Sequence, residues 1–138
     1  MPNKTLRILI ADAQHFYRLK IERVLNHLGY YRVAPMHRLE EVLNVVEYGC
    51  EPLDLLIINA SLANDPRLDL PSFCMQNPQI RHALIYNQDP TDCESLPSRR
   101  SPRVQLSGQA LPDPETLSAL MAALDPGEAS TWQGLKWG

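Results

Sequence analysis

The chain lacks the features that mark several large classes of protein. Among its 138 residues, no apolar stretch approaches the roughly 20 residues that a membrane-spanning helix needs. Residues 1–5 lead into a strand pattern and not into the apolar core of a signal peptide. There is no basic run; Arg99, Arg100 and Arg103 form the densest basic spot, which predicts a solvated loop. We therefore expect a cytoplasmic protein that binds neither a membrane nor nucleic acid.

Cysteine and the common catalytic motifs are scarce as well. The three cysteines, Cys50, Cys74 and Cys93, are odd in number and have no CxxC spacing. This pattern predicts reduced thiols and neither a disulfide framework nor a zinc site. The four histidines show no metal-ligand spacing, and the chain has no GxGxxG, P-loop or GxSxG sequence. The sequence therefore has none of the motifs that usually indicate a nucleotide-binding protein, a zinc protein or a serine hydrolase.

Short apolar runs alternate with helical patterns along the chain. The strongest run extends from Asp54 to Asn59, where an acid opens a series of branched aliphatic residues and a carboxamide closes it. Such a run is typical of a parallel strand buried on both faces. The other predicted strands are residues 6–11, 30–36 (closed by a turn containing Pro35), 82–87 and 103–106.

Helical periodicity separates these strands. Predicted helices cover residues 15–28 with Gly29 as a stop, residues 39–46 with Gly49 just beyond, at most two turns between Pro71 and Gln76, and a helix capped by Asp113 with Pro114 in its first position. Residues 88–102 contain three prolines, which favours a long loop or a single helical turn. The pattern therefore predicts an α/β fold: a doubly wound five-stranded parallel sheet whose third and fourth helices are shortened.

The domain is expected to occupy residues 1–125, within the length that one hydrophobic core supports. Residues 126–138 lack periodicity and are predicted to be a C-terminal tail. Trp132 and Trp137 are its candidates for contact with the domain.

Three parts of the sequence resemble the receiver domain of two-component response regulators, the CheY-like family. They are the segment Arg7-Ile-Leu-Ile-Ala-Asp-Ala-Gln-His15, Arg18 early in the first helix, and the run from Asp54 to Asn59. The resemblance covers residues 6 to about 124. It implies a flavodoxin-like sheet with strand order 2-1-3-4-5 and a role in bacterial phosphorelay signalling.

The resemblance also implies a site, and the sequence departs from the family at every position of it except Asp12. Receivers carry adjacent acidic residues that hold magnesium, whereas here Asp12 is followed by Ala13. Asn59 occupies the position of the phosphoacceptor aspartate, and Asn87 falls at about the position of the switch serine or threonine. A strand-end aspartate such as Asp12 can instead bind a neighbouring loop, so it is either that or the remnant of a metal site.

The lysine that follows the fifth strand in receivers is missing too. It would lie near residues 107–110, but no lysine occurs between Lys20 and Lys136. An aspartyl phosphate requires a carboxylate nucleophile, and the nitrogen lone pair of Asn59 is delocalised into its carbonyl. We expect no phosphotransfer, no enzyme activity and no cofactor, with weak Mg²⁺ binding at Asp12 possible but not expected. Substitute phosphoacceptors are conceivable in the loops, at Asp65, Asp69, Asp89 and Asp92, but these fit solvated turns better.

These observations favour a degenerate, stand-alone receiver that acts as a protein-interaction module independent of phosphorylation. Its partner would be a histidine kinase, another regulator or an output protein, and residues 88–112 are the expected private binding surface. The alternative is a ligand- or metal-sensing domain that uses the polar pocket of Asp12, Asn59 and Asn87. A third interpretation, a small enzyme, has no nucleophile–base pair to support it.

Overall fold

Five parallel strands form a single sheet in the order β2-β1-β3-β4-β5. The computed structural model describes residues 6–49, 52–63, 69–87 and 104–124. The strands are β1 (Ile8–Ala11), β2 (Val33–Met36), β3 (Leu55–Asn59), β4 (Ala83–Tyr86) and β5 (Val104–Leu106). The helices are α1 (His15–His27), α2 (Leu39–Tyr48), α3 (Leu70–Gln76) and α4 (Pro114–Leu124). The predicted doubly wound α/β fold and its strand order are confirmed.

The shortened third helix is α3, which has 7 residues. Residues 88–103, which include the segment predicted as a loop or a single turn, lie outside the described residues. The helix α4 is therefore the fifth one of the prediction. The tail at residues 126–138, with Trp132 and Trp137, also lies outside the described residues, as do Cys50 and Cys93. Cys74 is a buried residue of α3, and its thiol is reduced.

The sheet is covered on both faces, and β3 at its centre shows this most clearly. All five of its residues are buried. Successive residues of a strand point to opposite faces, so the sheet divides the core into two clusters. One cluster joins the sheet to α1 and α4, and it contains Ile8, Ile10, Ile21, Leu25, Leu55, Ile57, Leu84, Tyr86, Leu117, Leu120 and Met121. The other joins the sheet to α2 and α3, and it contains Leu9, Ala11, Val42, Val46, Leu56, Ile58, Leu70, Cys74, Ala83 and Ile85.

Pro35 lies inside β2, in register with Ile10 of β1, and not in a turn after the strand as the sequence predicts. The reason is the position of β2 at the edge of the sheet. An edge strand has a free side on which a missing N–H breaks no ladder hydrogen bond, so proline is tolerated there. The backbone N–H groups of Ile8 and Asp12 still donate to the carbonyls of Arg32 and Met36, at 2.9 and 3.1 Å.

Asp54, which opens the run ending at Asn59, holds the opposite end of the sheet. Its carboxylate accepts a hydrogen bond of 2.8 Å from the backbone N–H of Arg7. The guanidinium of Arg81 lies 3.6 Å from the same carboxylate. The two polar residues that bound this run therefore lie at opposite edges: Asp54 ties the strand entrances together, and Asn59 lies among the strand exits. Only the second edge is where open parallel sheets usually bind ligands.

Candidate functional site

Asp12 and Asn59 lie side by side at the carboxyl ends of the neighbouring strands β1 and β3. Both side chains are almost completely buried, with 1% and 3% of their surface exposed. The Asn59 amide nitrogen donates a hydrogen bond of 3.1 Å to Oδ2 of Asp12. The position that matches a receiver phosphoacceptor is therefore a hydrogen-bond donor to the acidic residue beside it.

The Asp12 carboxylate has further donors within the chain. Its Oδ1 accepts from the backbone N–H of Gln14 at 2.8 Å, and its Oδ2 also accepts from the hydroxyl of Tyr86. The backbone carbonyl of Asp12 accepts from Nη1 of Arg18 at 2.6 Å. A buried carboxylate is costly unless it is hydrogen-bonded, and here three donors meet that need. The hydrogen bond from the Gln14 N–H joins Asp12 to the loop after β1.

The Asn59 side chain is oriented by contacts on both sides. Its Oδ1 accepts from the backbone N–H of Ser61 at 2.9 Å and from the side-chain amide of Asn87 at 3.2 Å. Reversing the amide would turn its NH2 group toward these two donors and its oxygen toward the Asp12 carboxylate. Because the contacts with the Ser61 N–H and with the Asp12 carboxylate would both become repulsive, these two partners dictate the orientation of the Asn59 amide.

Tyr86 is the member of the site that the sequence does not reveal. It pairs in register with Asn59 across β3 and β4, so both side chains point to the same face of the sheet. Burial, and then the hydrogen bond to the Asp12 carboxylate, raise the pKa of the Tyr86 hydroxyl far above its ordinary value. The phenol is therefore neutral and acts as a donor. The available signal was a lone tyrosine in a buried aliphatic strand, since a buried phenol needs a hydrogen-bond partner.

Asn87 follows β4 directly and has an exposed side chain. Its φ angle of 58° is left-handed, a conformation that asparagine tolerates better than most residues. The backbone N–H of Asn87 donates to the carbonyl of Gln109 at 2.7 Å. This contact joins the end of β4 to the loop after β5. The hydrogen bonds of Asn59 with Asp12 and with Asn87 bring the three predicted site residues together.

Gln109 lies where the resemblance places a lysine. Its side-chain amide does not face Asp12 but donates to the carboxylate of Asp113 at 3.1 Å. Asp113 caps α4 by accepting from the backbone N–H of Thr116 at 2.7 Å. Hydrogen bonds from Thr116, and then from Gln109, hold the pKa of the Asp113 carboxyl below its ordinary value. This loop therefore stabilises the start of a helix and brings no positive side chain to the site.

The donor set does not fit magnesium. Mg²⁺ prefers oxygen ligands in a near-octahedral arrangement. At the centre of this site the Asp12 carboxylate faces one amide NH2 and one hydroxyl proton, and the adjacent Ala13 provides no side-chain oxygen. A cation would have to displace both donors before it reached the carboxylate. Within the described ranges, no group of three or more His, Cys, Asp or Glu side chains is arranged to hold a metal ion.

The remaining candidates have local roles or lie outside the described residues. His15 is exposed, and its Nδ1 lies 3.4 Å from a guanidinium nitrogen of Arg18. Asp69 caps α3 by accepting from the backbone N–H and hydroxyl of Ser72, at 3.3 and 2.9 Å. Asp65, Asp89 and Asp92 fall outside the described residues. Asp69 therefore behaves as the turn residue that the sequence favours.

Comparison with known proteins supports the fold and goes no further. No family model matches the chain, and no curated protein matches it. Among solved structures, the chain is similar to a protein of Burkholderia pseudomallei that is provisionally described as pilus assembly-related. The TM-score is 0.59 and the sequence identity 18%, over 88% of this chain and 92% of that chain. An identity this low establishes a shared fold and not a shared activity.

In the part of the chain that the structure describes, no helix is both long enough and apolar enough to cross a bilayer.

Proposed function

We propose that this chain is a receiver-like protein-interaction module of bacterial signalling that works without phosphorylation and catalyses no reaction. The observation that carries the proposal is the hydrogen bond from the Asn59 amide to the buried Asp12 carboxylate. In a receiver, that space serves a metal ion and a phosphoryl group. In this chain the space is closed by the side chains of the site itself.

Three chemical requirements of phosphotransfer are missing at once. Asn59 offers no carboxylate nucleophile, Ala13 gives no second acidic ligand, and no lysine occurs between positions 20 and 136 to neutralise a phosphate. The Asp12 carboxylate that remains is engaged by three donors. Loss of a single group would leave weak activity conceivable. Their combined loss supports signalling through contacts between proteins.

The partner in this proposal is a protein: a histidine kinase, another response regulator or an output protein. The structural neighbour adds a specific candidate, because that protein is provisionally described as pilus assembly-related. We accordingly include a pilus assembly component among the output proteins to be tested. The proposed contact surface comprises residues 88–112, of which residues 104–112 are described. Gln105 and Ala110 are exposed within it.

Magnesium and beryllofluoride, which mimic the phosphorylated state of a receiver, should leave this protein unchanged. We expect no saturable shift of the Asn59 or Asp12 amide signals when both are titrated into the labelled protein. The reason is that neither the metal nor the phosphoryl mimic finds an open carboxylate. Each reagent added alone is the control. Magnesium-dependent, saturating shifts centred on Asn59 would contradict the proposal.

The interaction itself should be insensitive to the same reagents. We expect the tagged protein to retain one specific partner from its native cell equally well with and without magnesium and beryllofluoride. Replacing Gln105 and Ala110 by arginine should abolish retention, since both side chains are exposed on the proposed surface. Asn44→Arg changes an exposed position on α2, outside the proposed surface, and serves as the control that should retain the partner. Equal retention by all variants would exclude this surface.

The ligand-sensing alternative rests on the same three residues. Such a domain would need polar atoms directed toward a ligand. Asp12 and Asn59 direct theirs at each other and at neighbouring groups of the chain, and no buried side-chain nitrogen or oxygen among the described residues lacks a partner. The geometry therefore favours the interaction module.

A further inference from the structure

The outward face of α4 carries little of the charge expected of a surface helix. A surface helix normally presents charged and polar side chains opposite its buried stripe. In α4 the only charged residue is Glu115. The other exposed positions of its outward face hold small side chains, namely Ser118, Ala119, Ala122 and Ala123. Short side chains let a second helix approach closely, because the distance between packed helices depends on the side chains at their contact.

A groove of about 730 Å³ runs between α4 and α1 along this face. Val24 and Leu28 of α1 line the groove, and both side chains are only half-buried. Ala119 and Ala122 line it from α4 and are too short to fill it. The groove therefore exposes contiguous apolar surface between two packed helices. Exposed apolar surface of this kind often marks a site of contact between proteins.

The two walls of the groove carry opposite charges. Arg23 and His27 line it from α1, Glu115 lines it from α4, and all three side chains are exposed. Within the described ranges, neither Arg23 nor Glu115 takes part in an ion pair. The basic wall and the acidic wall therefore do not neutralise each other within one chain. Such a surface is complementary to itself, because a copy rotated by half a turn offers its acidic wall to the basic one.

We propose that two copies of the chain pair through this groove, related by a two-fold axis that runs along it. This symmetry lays α1 of each copy over α4 of the other. Arg23 of one copy then meets Glu115 of the second copy, and the symmetry forms this pair twice. Opposite charges across an interface fix its register and disfavour other arrangements. Val24 and Leu28 leave water against the short side chains of the opposite α4, and their burial provides the attraction.

This interface is separate from the surface assigned to the partner protein in the proposed function. Neither Gln105 nor Ala110 lines the groove. The pairing of two copies is therefore independent of the binding of that partner, and either one can fail without the other.

Reversing the two charges tests the proposal, with the full chain studied by analytical ultracentrifugation. We expect the unmodified protein to pass from monomer to dimer as its concentration rises through the micromolar range. Arg23→Glu and Glu115→Arg should each weaken dimerisation roughly tenfold, because each substitution brings like charges together twice. Mixed in equal amounts, the two variants should form a heterodimer as readily as the unmodified protein forms its dimer. In that mixture every substituted side chain faces an opposite charge, and so does every native one.

Arg38→Glu is the matched control, since it makes the same change of charge at an exposed position outside the groove, and it should dimerise like the unmodified protein. All three substituted positions are exposed, so the core is kept, and circular dichroism checks the fold of each variant. An unmodified protein that stays monomeric throughout the micromolar range would overturn the proposal. Single variants that dimerise as well as the unmodified protein would also overturn it. A mixture that does not associate would do the same, because the heterodimer requires the paired charges to lie in different chains.

Discussion

Asn59→Asp should destabilise the protein by roughly 3 kcal/mol at neutral pH, because a second carboxylate would face Asp12 in a buried site. The Asn59 nitrogen lies 3.1 Å from the Asp12 carboxylate, and both side chains are buried. Like charges this close raise the pKa of the introduced carboxyl above its unfolded value near 4. The penalty is therefore small near pH 4 and grows as the pH rises. Urea unfolding of both proteins at about pH 4 and pH 7 measures it.

The double variant D12N/N59D is the control. It exchanges the carboxylate and the carboxamide, so the site again holds one of each, and we expect it to recover more than half of the lost stability. Magnesium should raise the melting temperature of the single variant and leave the unmodified protein unaffected, because only the variant presents two adjacent carboxylates. A single variant as stable as the unmodified protein at both pH values would disprove the facing arrangement of Asp12 and Asn59.

The fold was predictable because its signals are local or nearly so. The aliphatic run that ends at Asn59 is typical of a strand covered on both faces, and α4 begins at Pro114 as the Asp113-Pro114 sequence indicates. Pro35 shows the limit of such signals. Whether proline is tolerated within a strand depends on the order of strands in the sheet, which no local pattern contains.

The sequence predicts which strand ends form the site but not all of the side chains that bind Asp12. The carboxyl ends of parallel strands meet at one edge, so Asp12, Asn59 and Asn87 were expected to share a pocket, and they lie together. The role of Tyr86 depends on which face of β4 it occupies. A shift of one residue moves a strand side chain to the opposite face, and the sequence does not define the strand ends that closely. The hydroxyl that completes the closure of the site was therefore missed.

Tyr86 also determines the second large effect that we expect. Tyr86→Phe should cost about 1–3 kcal/mol at neutral pH, because it removes one donor from a buried carboxylate and gains no new contact. The loss should also shrink at alkaline pH. The pKa of Tyr86 is raised on folding from an ordinary value of 10.0, so its contribution to stability is complete below pH 10 and falls as the pH rises further. The phenylalanine variant has no such group to lose.

Urea unfolding at about pH 7 and pH 11 resolves the two parts of this prediction. Tyr48→Phe is the matched control, because Tyr48 is exposed and its hydroxyl should contribute little in either condition. If Tyr86→Phe and Tyr48→Phe had the same small effect, the phenol would not be bound to Asp12. The closure of the site would then depend on Asn59 alone. A large effect in the Tyr86 variant and none in the control would instead show that the hydroxyl of Tyr86 in β4 holds the Asp12 carboxylate, which follows β1.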